Sequence, residues 1–413
     1  MYKEEGNCVK VTGFVKRIKI LGKIAFVIVK DRDHTYQLTI KKESEFFDIV
    51  KKLTLESYVY VEGIEAEKKA KVAEKEIIPK KMEFVLAKEP LPIDTSGKIE
   101  NSPEKRYYWR YLDLRIERKN IPLLVRGKIQ RYVLDFFDEN SFVIINTPKI
   151  TKIGAESGAE VFHLNYFGDD AVLAQSPQLY KQMAIIAGLE KVVEIGPVFR
   201  AEKSHTTRHL AEFTGLDVEM EGIKNVGEIE AVLEDMLNFV FKKLKEKWKL
   251  KEDKPLFERI SLKKAKEILE ENYEKKLPPE EDLDSEGERL IGMHFAKEGI
   301  NFVFIEYYPW EKRPFYHMKK DEKTTKSFDL IYKGVEITTG AVREHRYEVL
   351  RKQILEKGLN PEDLKVYLDM FLYGAPPHGG FGFGLDRFVE KLLDLENIRD
   401  ACFIPRSPER LIP

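Results

Sequence analysis

Cysteine is nearly absent from this sequence of 413 residues, which contains only Cys8 and Cys402, almost a whole chain apart. Two such cysteines exclude a disulfide framework and a zinc site built from cysteine, and they favour a reducing compartment. No run of about eighteen apolar residues occurs, and the opening letters MYKEE contain no apolar signal core. We therefore expect a cytoplasmic protein without a membrane-spanning segment.

An excess of either charge is also lacking, because 70 Lys and Arg face 71 Asp and Glu, for a formal net charge of -1. This balance excludes a uniformly basic surface that would hold nucleic acid through bulk charge. With 43% hydrophobic and 11% aromatic residues, the composition is that of a folded protein. The length predicts two or three domains.

Residues 1–87 predict a small β-barrel. Five segments rich in β-branched and aromatic residues are predicted strands, at residues 9–18, 24–29, 36–40, 58–64 and 77–86. A helical pattern at residues 43–53 follows the third strand, and a helix at that point of a five-strand series is typical of an OB-fold, which commonly binds oligonucleotides. A different small β-sandwich is the alternative.

Residues 88–120 are predicted to be a linker or hinge, because they begin with KEPLPIDTSGKIENSPE, which has no apolar periodicity. A second domain is predicted at residues 121–413. A largely helical stretch lies near residues 226–297, and the strand candidates arrive in runs at residues 160–173, 192–200, 213–223, 301–307 and 326–338. This order favours an α+β fold with an antiparallel sheet flanked by helices.

An arginine directly follows an apolar strand pattern in GPVFRAEKSHTTRHLAEF, residues 196–213. A buried guanidinium needs an anion, and its planar fork matches a pair of phosphate oxygens. Arg208 and His209 would supply further donors from the loop that follows Arg200. A nucleotide site is one interpretation, and a surface ion pair between Arg200 and Glu202 is the alternative.

Glycines dominate GGFGFGLDRF, residues 379–388, and a helical pattern follows them. A strand without side chains allows a planar ring to approach its backbone, and Arg387 in the first helical turn would hold a terminal phosphate. A Gly-rich turn without function is the alternative. A dinucleotide fingerprint is disfavoured, because about thirty residues from the chain end leave too little room for another βαβ unit.

Glu336 and Thr338 alternate with Val335, Ile337 and Thr339 along a predicted strand, so they are expected to share one face. A carboxylate and a hydroxyl oxygen suit Mg²⁺, which leaves its other positions to water and substrate phosphates. An ordinary edge strand is the alternative.

The segment QSPQLYKQ, residues 175–182, is predicted to place polar residues at a helix start, where Lys181 offers a positive charge. The alternative is a helix capped by Ser176, with Lys181 in solvent.

In this order, these segments resemble the class II aminoacyl-tRNA synthetases, and within that family the archaeal and eukaryotic aspartyl type. The match covers essentially the whole chain. The predicted helix at residues 123–137 and the strand into Thr147-Pro148 resemble the dimer-forming first motif, and the Arg200 and Arg387 segments resemble the second and third. QSPQLYKQ and the ending RLIP favour the aspartyl type over its asparaginyl and lysyl relatives.

The resemblance implies an OB-fold anticodon-binding domain and a class II catalytic domain. It implies ligation of L-aspartate to the 3′ end of tRNA(Asp) through an aspartyl-adenylate, with ATP as a substrate and Mg²⁺ as a cofactor. The enzyme is expected to be a cytoplasmic homodimer that needs no nucleophile of its own, since positioning and the charges of Arg200 and Arg387 would provide catalysis.

Specific site residues follow from the same resemblance. ATP is expected to contact Arg200, Glu202, Arg208, His209, Leu210, Glu336, Gly384, Leu385, Asp386 and Arg387. Aspartate is expected to contact Glu156, Gln178, Lys181, Asp217, Arg200, Thr339 and Arg343. Magnesium is expected at Glu336 and Thr339. In the barrel, Phe26 and Gln37 are expected to hold the central anticodon base, and Phe26 as plain barrel core is the alternative.

Several alternatives stay open. Lys16 stands two residues after Phe14, where archaeal relatives strict for one tRNA often carry Trp, so tRNA(Asn) is a candidate second substrate. An asparaginyl-tRNA synthetase and a tRNA-independent asparagine-forming ligase are alternatives on the same fold. A nucleic-acid-binding regulatory protein with an inactive catalytic domain is disfavoured by the intact Arg200, Glu336 and Arg387.

Overall fold

The computed structural model describes residues 8–66, 72–152, 160–203, 209–246, 248 and 254–413. The chain divides into two compact units, Met1–Lys119 and Asn120–Pro413. Among the described helices, none combines the length and the apolar character that crossing a membrane requires.

The first unit contains a closed five-stranded barrel with the strand order β1-β2-β3-β5-β4. Its strands are β1 (Cys8–Leu21), β2 (Ile24–Lys30), β3 (Thr35–Lys41), β4 (Tyr58–Glu65) and β5 (Lys75–Val85). Helix α1 (Phe46–Val50) lies between β3 and β4 in the chain. Alternate residues such as Ala25, Val27 and Val29 are fully buried inside the barrel. The predicted OB-fold is confirmed.

The stretch predicted to be a linker, residues 88–120, contains two short helices, α2 (Pro103–Tyr108) and α3 (Arg110–Asp113). Arg110 and Asp113 form a buried ion pair with Nη1 2.6 Å from Oδ2, and Tyr107 is buried beside them. The linker prediction rested on the Pro-rich letters at residues 88–104. The apolar and aromatic residues that follow these letters pack within the first unit.

The second unit contains the remaining elements. Its helices are α4 (Ile121–Glu139), α5 (Gln178–Ala184), α6 (Val226–Lys245), α7 (Leu262–Tyr273), α8 (Ser285–Ala296), α9 (Tyr347–Glu356), α10 (Lys365–Asp369) and α11 (Leu385–Leu392). Its strands are β6 (Val143–Ile144), β7 (Ile150–Thr151), β8 (His163–Tyr166), β9 (Asp169–Leu173), β10 (Lys191–Phe199), β11 (Glu212–Glu221), β12 (Phe257–Ser261), β13 (Phe302–Glu306), β14 (Ser327–Tyr332), β15 (Val335–Val342) and β16 (His378–Gly384).

Eight of these strands form one sheet in the order β12-β13-β14-β15-β16-β11-β10-β6. Neighbouring strands are antiparallel, except for the parallel pairs β12 with β13 and β10 with β6. Helices α4, α6 and α11 contribute Val125, Leu237 and Phe388 to the large apolar core that they share with the sheet. The predicted α+β fold, with a largely antiparallel sheet flanked by helices, is confirmed.

Several details differ from the sequence-based predictions. The predicted strand at residues 160–173 is two antiparallel strands, β8 and β9. The helical stretch near residues 226–297 contains a strand, β12. The predicted strand at residues 326–338 is two strands, β14 and β15, joined by a tight turn at Lys333 and Gly334, whose φ angles are 48° and 75°. Two positive φ values are what a two-residue hairpin turn requires, and a Lys-Gly pair is a weaker signal for it than Asn-Gly.

Candidate active site

A cavity of about 330 Å³ opens in the second unit beside β10, β11, β15, β16 and the start of α11. Arg200, just after β10, and Arg387, in the first turn of α11, both line this cavity. They come together because β11 pairs with β10 on one side and with β16 on the other. The arrangement offers two guanidinium groups to one ligand.

Most of the other predicted residues of the catalytic unit also line the cavity, namely Gln178, Glu202, His209, Leu210, Asp217, Glu336, Thr339, Arg343, Gly384 and Asp386. Glu156 and Arg208 lie outside the described residues. The Leu385 side chain does not line the cavity, because it is fully buried in the apolar core, so a contact of this residue with ATP would involve its backbone.

The Arg200 side chain is held by its neighbours but is not buried. The interpretation that Arg200 is buried and therefore needs an anion is wrong. Its side chain is 42% exposed, with Nη1 3.7 Å from Oε1 of Glu202. The guanidinium carbon lies 5.3 Å from the ring centroid of Phe213, and Nε2 of His209 lies 3.9 Å from Oε2 of Glu202. A cation–π contact and a loose ion pair hold the guanidinium while leaving it accessible to an anionic ligand.

Arg387 and Asp386 have different roles although they are neighbours. Nη1 of Arg387 donates to the carbonyl oxygen of Glu336 at 3.1 Å. The Asp386 carboxylate accepts from Nε of Arg126 at 2.8 Å and from the backbone N–H of Thr214 at 2.9 Å. Asp386 therefore fastens α11 to α4 and β11, and Arg387 is the residue of this pair that offers a cation to the cavity.

The glycines of β16 make room for side chains of the neighbouring strand β11. A Cβ on Gly380 would lie 2.0 Å from the carbonyl oxygen of Val218 and 2.5 Å from Oε2 of Glu219. A Cβ on Gly382 would lie 3.4 Å from Oδ1 of Asp217, in ordinary contact. The sequence interpretation assigned the open space to a planar ring, whereas at Gly380 the space is filled by Glu219.

Strand β15 contains a β-bulge, since its pairing with β14 shifts by one residue at Ile337. The bulge moves the following residues to the opposite face. Thr338 is 1% exposed, and its Oγ1 has no hydrogen-bond partner within the described part of the chain. Thr339 instead lines the cavity and donates to Oε1 of Glu336 at 3.0 Å. The expectation that Thr338 shares a face with Glu336 is therefore wrong.

Further carboxylates surround the Glu336–Thr339 pair. Asp329 is the cross-strand partner of Thr339, and its Oδ2 lies 2.6 Å from Nη2 of Arg313. Burial raises the pKa of Asp329 although Arg313 opposes the rise, and Glu336 adds to it. Glu288 accepts from the backbone N–H of Glu336 at 3.0 Å, and burial, followed by Glu336, raises the pKa of Glu288 to about 7. A cation here would relieve the mutual repulsion.

Two cations share one buried carboxylate at another side of the site. Nε and Nη2 of Arg343 lie 2.9 Å and 3.2 Å from the two oxygens of Glu219. Nζ of Lys181 lies 3.4 Å from Oε2 of Glu219 and 3.1 Å from Oδ1 of Asp217. Burial would raise the pKa of Glu219, but Arg343 and Lys181 together hold it below its usual value. Lys181 is 2% exposed, so the alternative that it lies in solvent is wrong.

Glu219 and His317 were not among the site residues predicted from the sequence. A signal for Glu219 was present, because Asp217 and Glu219 alternate with apolar residues and so share one face of β11. His317 lines the cavity and is 2% exposed. Burial, followed by the charges of Arg343 and Arg313, lowers the pKa of His317 well below its usual value. Its surrounding letters, FYHMK, gave no comparable signal.

In the first unit, Phe26 and Gln37 lie on the outer face of the barrel. Phe26 pairs across β2 and β3 with Thr39, two residues from Gln37, so the three side chains share a face. Nε2 of Gln37 donates to Oγ1 of Thr39 at 3.3 Å, and Thr39 donates to Glu76 at 2.7 Å. The alternative that Phe26 is barrel core is wrong, and the Phe26 ring and the Gln37 amide lie on the same outer face of the barrel.

Residues 9–85 match a family model described as an OB-fold nucleic acid binding domain. Residues 102–408 match the model described as tRNA synthetases class II (D, K and N). The chain belongs to the class II tRNA synthetases. The resemblance inferred from the motifs is thereby confirmed, and a synthetase of this class uses ATP, an amino acid and tRNA as substrates.

Curated relatives of this class II synthetase cover nearly its whole length. The aspartate–tRNA(Asp) ligase of Pyrococcus horikoshii is 44% identical, over 99% of this chain and 97% of the relative. The aspartate–tRNA(Asp/Asn) ligase of Aeropyrum pernix is 43% identical, over 99% of this chain and 96% of the relative. Relatives at nearly equal identity are thus named for one tRNA or for two.

Solved structures of the family also resemble this chain over nearly its whole length. Asparaginyl-tRNA synthetase from Pyrococcus horikoshii complexed with asparaginyl-adenylate has a TM-score of 0.90 at 32% identity, covering 99% of this chain and 97% of that one. A putative aspartyl-tRNA synthetase from Leishmania major Friedlin has a TM-score of 0.89 at 29% identity, covering 99% and 92%. The fold therefore does not choose between the two amino acids, and the choice depends on the pocket.

Proposed function

We propose that this class II synthetase ligates L-aspartate to the 3′ end of tRNA(Asp) through an aspartyl-adenylate. The observation that carries the proposal is the sharing of one buried carboxylate, Glu219, by the two cations Lys181 and Arg343 beside the cavity. Asp217 also pairs with Lys181 and is assigned to the substrate ammonium. Once Asp217 is paired with that ammonium, the two positive charges exceed the single negative charge of Glu219, and this surplus favours a substrate whose side chain is a carboxylate. Neutral asparagine would leave that charge unpaired, a mismatch of about 10⁴-fold in selectivity.

The remaining polar residues of the pocket suit the other groups of aspartate. Asp217 and Gln178, both lining the cavity, are assigned to the substrate ammonium. Arg343, supported by Lys181, is assigned to the side-chain carboxylate. Thr339 and Arg200 complete the proposed set near the α-carboxylate, and Glu156 belongs to it by its motif.

In the proposed reaction, the aspartate α-carboxylate attacks the α-phosphorus of ATP, the bond to the pyrophosphate oxygen breaks, and pyrophosphate leaves. Arg200 is assigned to the α-phosphate and Arg387 to the terminal phosphate. Glu202, Arg208, His209, Leu210 and the backbone at residues 384–386 are assigned to the rest of the nucleotide. No protein nucleophile is required, because positioned cations stabilise the charge that develops on the phosphate oxygens. The 3′-hydroxyl of tRNA then attacks the adenylate carbonyl, and AMP leaves.

The residues present fit a magnesium ion at Glu336 and Thr339. Their side-chain oxygens face one cavity 3.0 Å apart, and hard oxygen donors are what Mg²⁺ prefers. Oδ1 of the adjacent Asp329 is buried without a hydrogen-bond partner among the described residues, which is also consistent with a cation nearby. When bound, the ion would offset phosphate charge, and Glu336 and Thr339 would hold it.

The barrel is assigned to the anticodon, with Phe26 stacking on a base and Gln37 binding its edge. We further propose that tRNA(Asn) is a second substrate. Lys16 stands where strict archaeal relatives often carry Trp, and its Nζ is held by Oε1 of Glu56 at 2.6 Å and by the carbonyl of Arg115 at 2.9 Å. A lysine fixed in this way presents no large ring to exclude a second anticodon.

The chain is proposed to act as a cytoplasmic homodimer. Apolar side chains of β6, β7 and the β8–β9 hairpin are exposed, namely Val143, Ile144, Ile150, Tyr166 and Phe167. These residues belong to or follow the segment that resembles the dimer-forming motif, and burial against a second copy would remove them from water. Light scattering of the wild type and of Phe167→Asp tests this proposal, and a monomeric wild type would reject it.

Side-by-side assays test the proposed reaction. Pyrophosphate exchange should depend on aspartate and not on asparagine, and purified tRNA(Asp) and tRNA(Asn) transcripts should both be charged with aspartate. Exchange driven by asparagine alone would identify an asparaginyl enzyme. Asparagine formed from aspartate and ammonia without tRNA would identify the tRNA-independent ligase. Charging of tRNA(Asp) alone would reject only the second tRNA substrate.

A further inference from the structure

Glu336 is held through both of its backbone polar groups. Its carbonyl oxygen accepts from Nη1 of Arg387 at 3.1 Å, and its N–H donates to Oε2 of Glu288 at 3.0 Å. A bulge disrupts the strand ladder locally, so a backbone group at the bulge needs another partner. Glu288 belongs to helix α8, for which no role was predicted from the sequence.

Helix α8 is in close backbone contact with the turn that precedes Glu336. A Cβ on Gly292 would lie 2.3 Å from the backbone nitrogen of Gly334, and a Cβ on Gly334 would lie 2.9 Å from Cα of Arg289. Gly334 also has a φ of +75°, which side chains other than glycine rarely adopt. Glu288 lies one helical turn from Gly292, on the same face of α8. The contact therefore fixes the distance from the Glu288 side chain to β15.

The bulge of β15 brings the proposed metal pair together. In a regular strand, residues three apart point to opposite faces. With the extra residue Ile337, Glu336 and Thr339 instead reach the same cavity.

We propose that Glu288 is a positioning residue for the magnesium pair, because its carboxylate accepts from the Glu336 N–H and so holds the bulge that turns Glu336 and Thr339 to one face. This inference rests on the proposed function through the assignment of Glu336 and Thr339 to magnesium. It gives helix α8 a part in binding magnesium and ATP, although α8 supplies no residue to the described lining of the cavity.

Three variants of the full-length protein test the inference. Glu288→Ala removes the acceptor, Glu288→Gln keeps an amide oxygen in its place, and Glu286→Gln is the matched control. Glu286 is exposed on the same helix and pairs with Arg289 at 2.7 Å. Two measurements are needed: amide hydrogen exchange of the β15 peptide in the free protein, and the magnesium dependence of ATP binding by calorimetry and of pyrophosphate exchange.

We expect Glu288→Ala to exchange the Glu336 amide at least about 10-fold faster and to raise the half-saturating magnesium concentration about 10-fold, which is typical when a partner of a metal ligand is lost. The KM for aspartate should change less than about twofold. Glu288→Gln and Glu286→Gln should both remain near the wild type, because each retains an acceptor for the Glu336 N–H.

Unchanged amide exchange or an unchanged magnesium response in Glu288→Ala would overturn the inference. An equal loss of aspartate and magnesium binding would also overturn it, because that result describes general damage to the site. If Glu288→Ala does not fold, Glu288→Met, which keeps the volume without an acceptor oxygen, is measured in its place. A wild type without aspartate-dependent exchange would reject the proposed function instead, while amide exchange and ATP binding would still test Glu288.

Discussion

Oγ1 of Thr339 lies 3.0 Å from Oε1 of Glu336, although the two residues are three positions apart in one strand. Regular pleating would point them to opposite faces of the sheet. The bulge at Ile337 brings them together, and Arg387 then binds the Glu336 carbonyl. The proposed metal ligands and one proposed phosphate ligand therefore depend on the same local irregularity.

Arg387→Ala tests the contribution of α11 to nucleotide binding. The change removes one of the two arginines proposed to bind the phosphates of ATP, and it removes the donor to the Glu336 carbonyl. We expect kcat/KM for ATP in aspartate-dependent pyrophosphate exchange to fall about 10²- to 10³-fold, as when one preorganised donor to a developing charge is lost. Lys391→Ala, which removes an ion pair with Glu390 on the same helix, is the control. Equal effects of the two changes would contradict the assignment of Arg387.

Lys181→Met tests the source of amino-acid selection. The change leaves Arg343 as the remaining one of the two cations that contact Glu219. Once Asp217 pairs with the substrate ammonium, no surplus positive charge is then left for a side-chain carboxylate. We expect the preference for aspartate over asparagine in pyrophosphate exchange to fall at least about 10²-fold. The exposed Lys191, replaced by Met, is the control.

Lys181→Met should also lower the stability of the fold. Removing one partner from a buried ion pair typically costs about 3–5 kcal/mol, so the folded state must be checked by thermal unfolding at the assay temperature. A folded variant with unchanged selectivity would exclude Lys181 from the pocket.

The regular parts of this structure could be predicted from sequence patterns. Alternation in β2 identified a barrel strand, and the glycine run ending at Gly384 identified a strand followed by a helix. The convergence of Arg200 and Arg387 followed from the family resemblance rather than from spacing. These features are local, or they belong to motifs whose order along the chain is informative.

The irregular and long-range parts could not be predicted. The strict alternation of the sequence predicted that Thr338 shares a face with Glu336. An extra residue such as Ile337 does not change the alternation pattern, so the bulge could not be predicted from it. The pairing of Glu219 with Lys181 joins β11 to α5, and no periodicity reports a partner so far away in the chain. An apolar strand before Arg200 suggested burial, although a side chain at the end of a strand can turn outward.

Phe26→Ala separates the barrel from the catalytic site. Loss of a stacked base typically costs about 1–3 kcal/mol, so we expect aspartylation of tRNA(Asp) to fall about 5- to 150-fold in kcat/KM. Pyrophosphate exchange without tRNA should be unchanged. Ile78→Ala, a truncation of another exposed barrel side chain, is the control, and an equal loss of charging in both variants would argue against a specific base contact.

We expect Glu230 of α6 to make the stability of the second unit depend on pH. Its side chain is fully buried, and Nε of Arg259 lies 2.8 Å from its Oε2. Burial and the nearby Glu306 raise the pKa of Glu230 from 4.5 to about 7, although Arg259 opposes the rise. The folded state therefore holds a proton that the unfolded state has already released, in the window between those two values.

Between about pH 4.5 and pH 7, the unfolded chain binds fewer protons at Glu230 than the folded chain does, so this group lowers stability as pH rises, by at most about 1.4 kcal/mol per pH unit. Glu230→Gln removes the titration and keeps an acceptor for Arg259. We expect the melting temperature of the second unit to fall less between pH 5 and pH 8 in Glu230→Gln than in the wild type. Glu270→Gln, an exposed change on α7, should behave as the wild type. An equal or steeper fall in Glu230→Gln would show that Glu230 is ionised throughout this range in the folded protein.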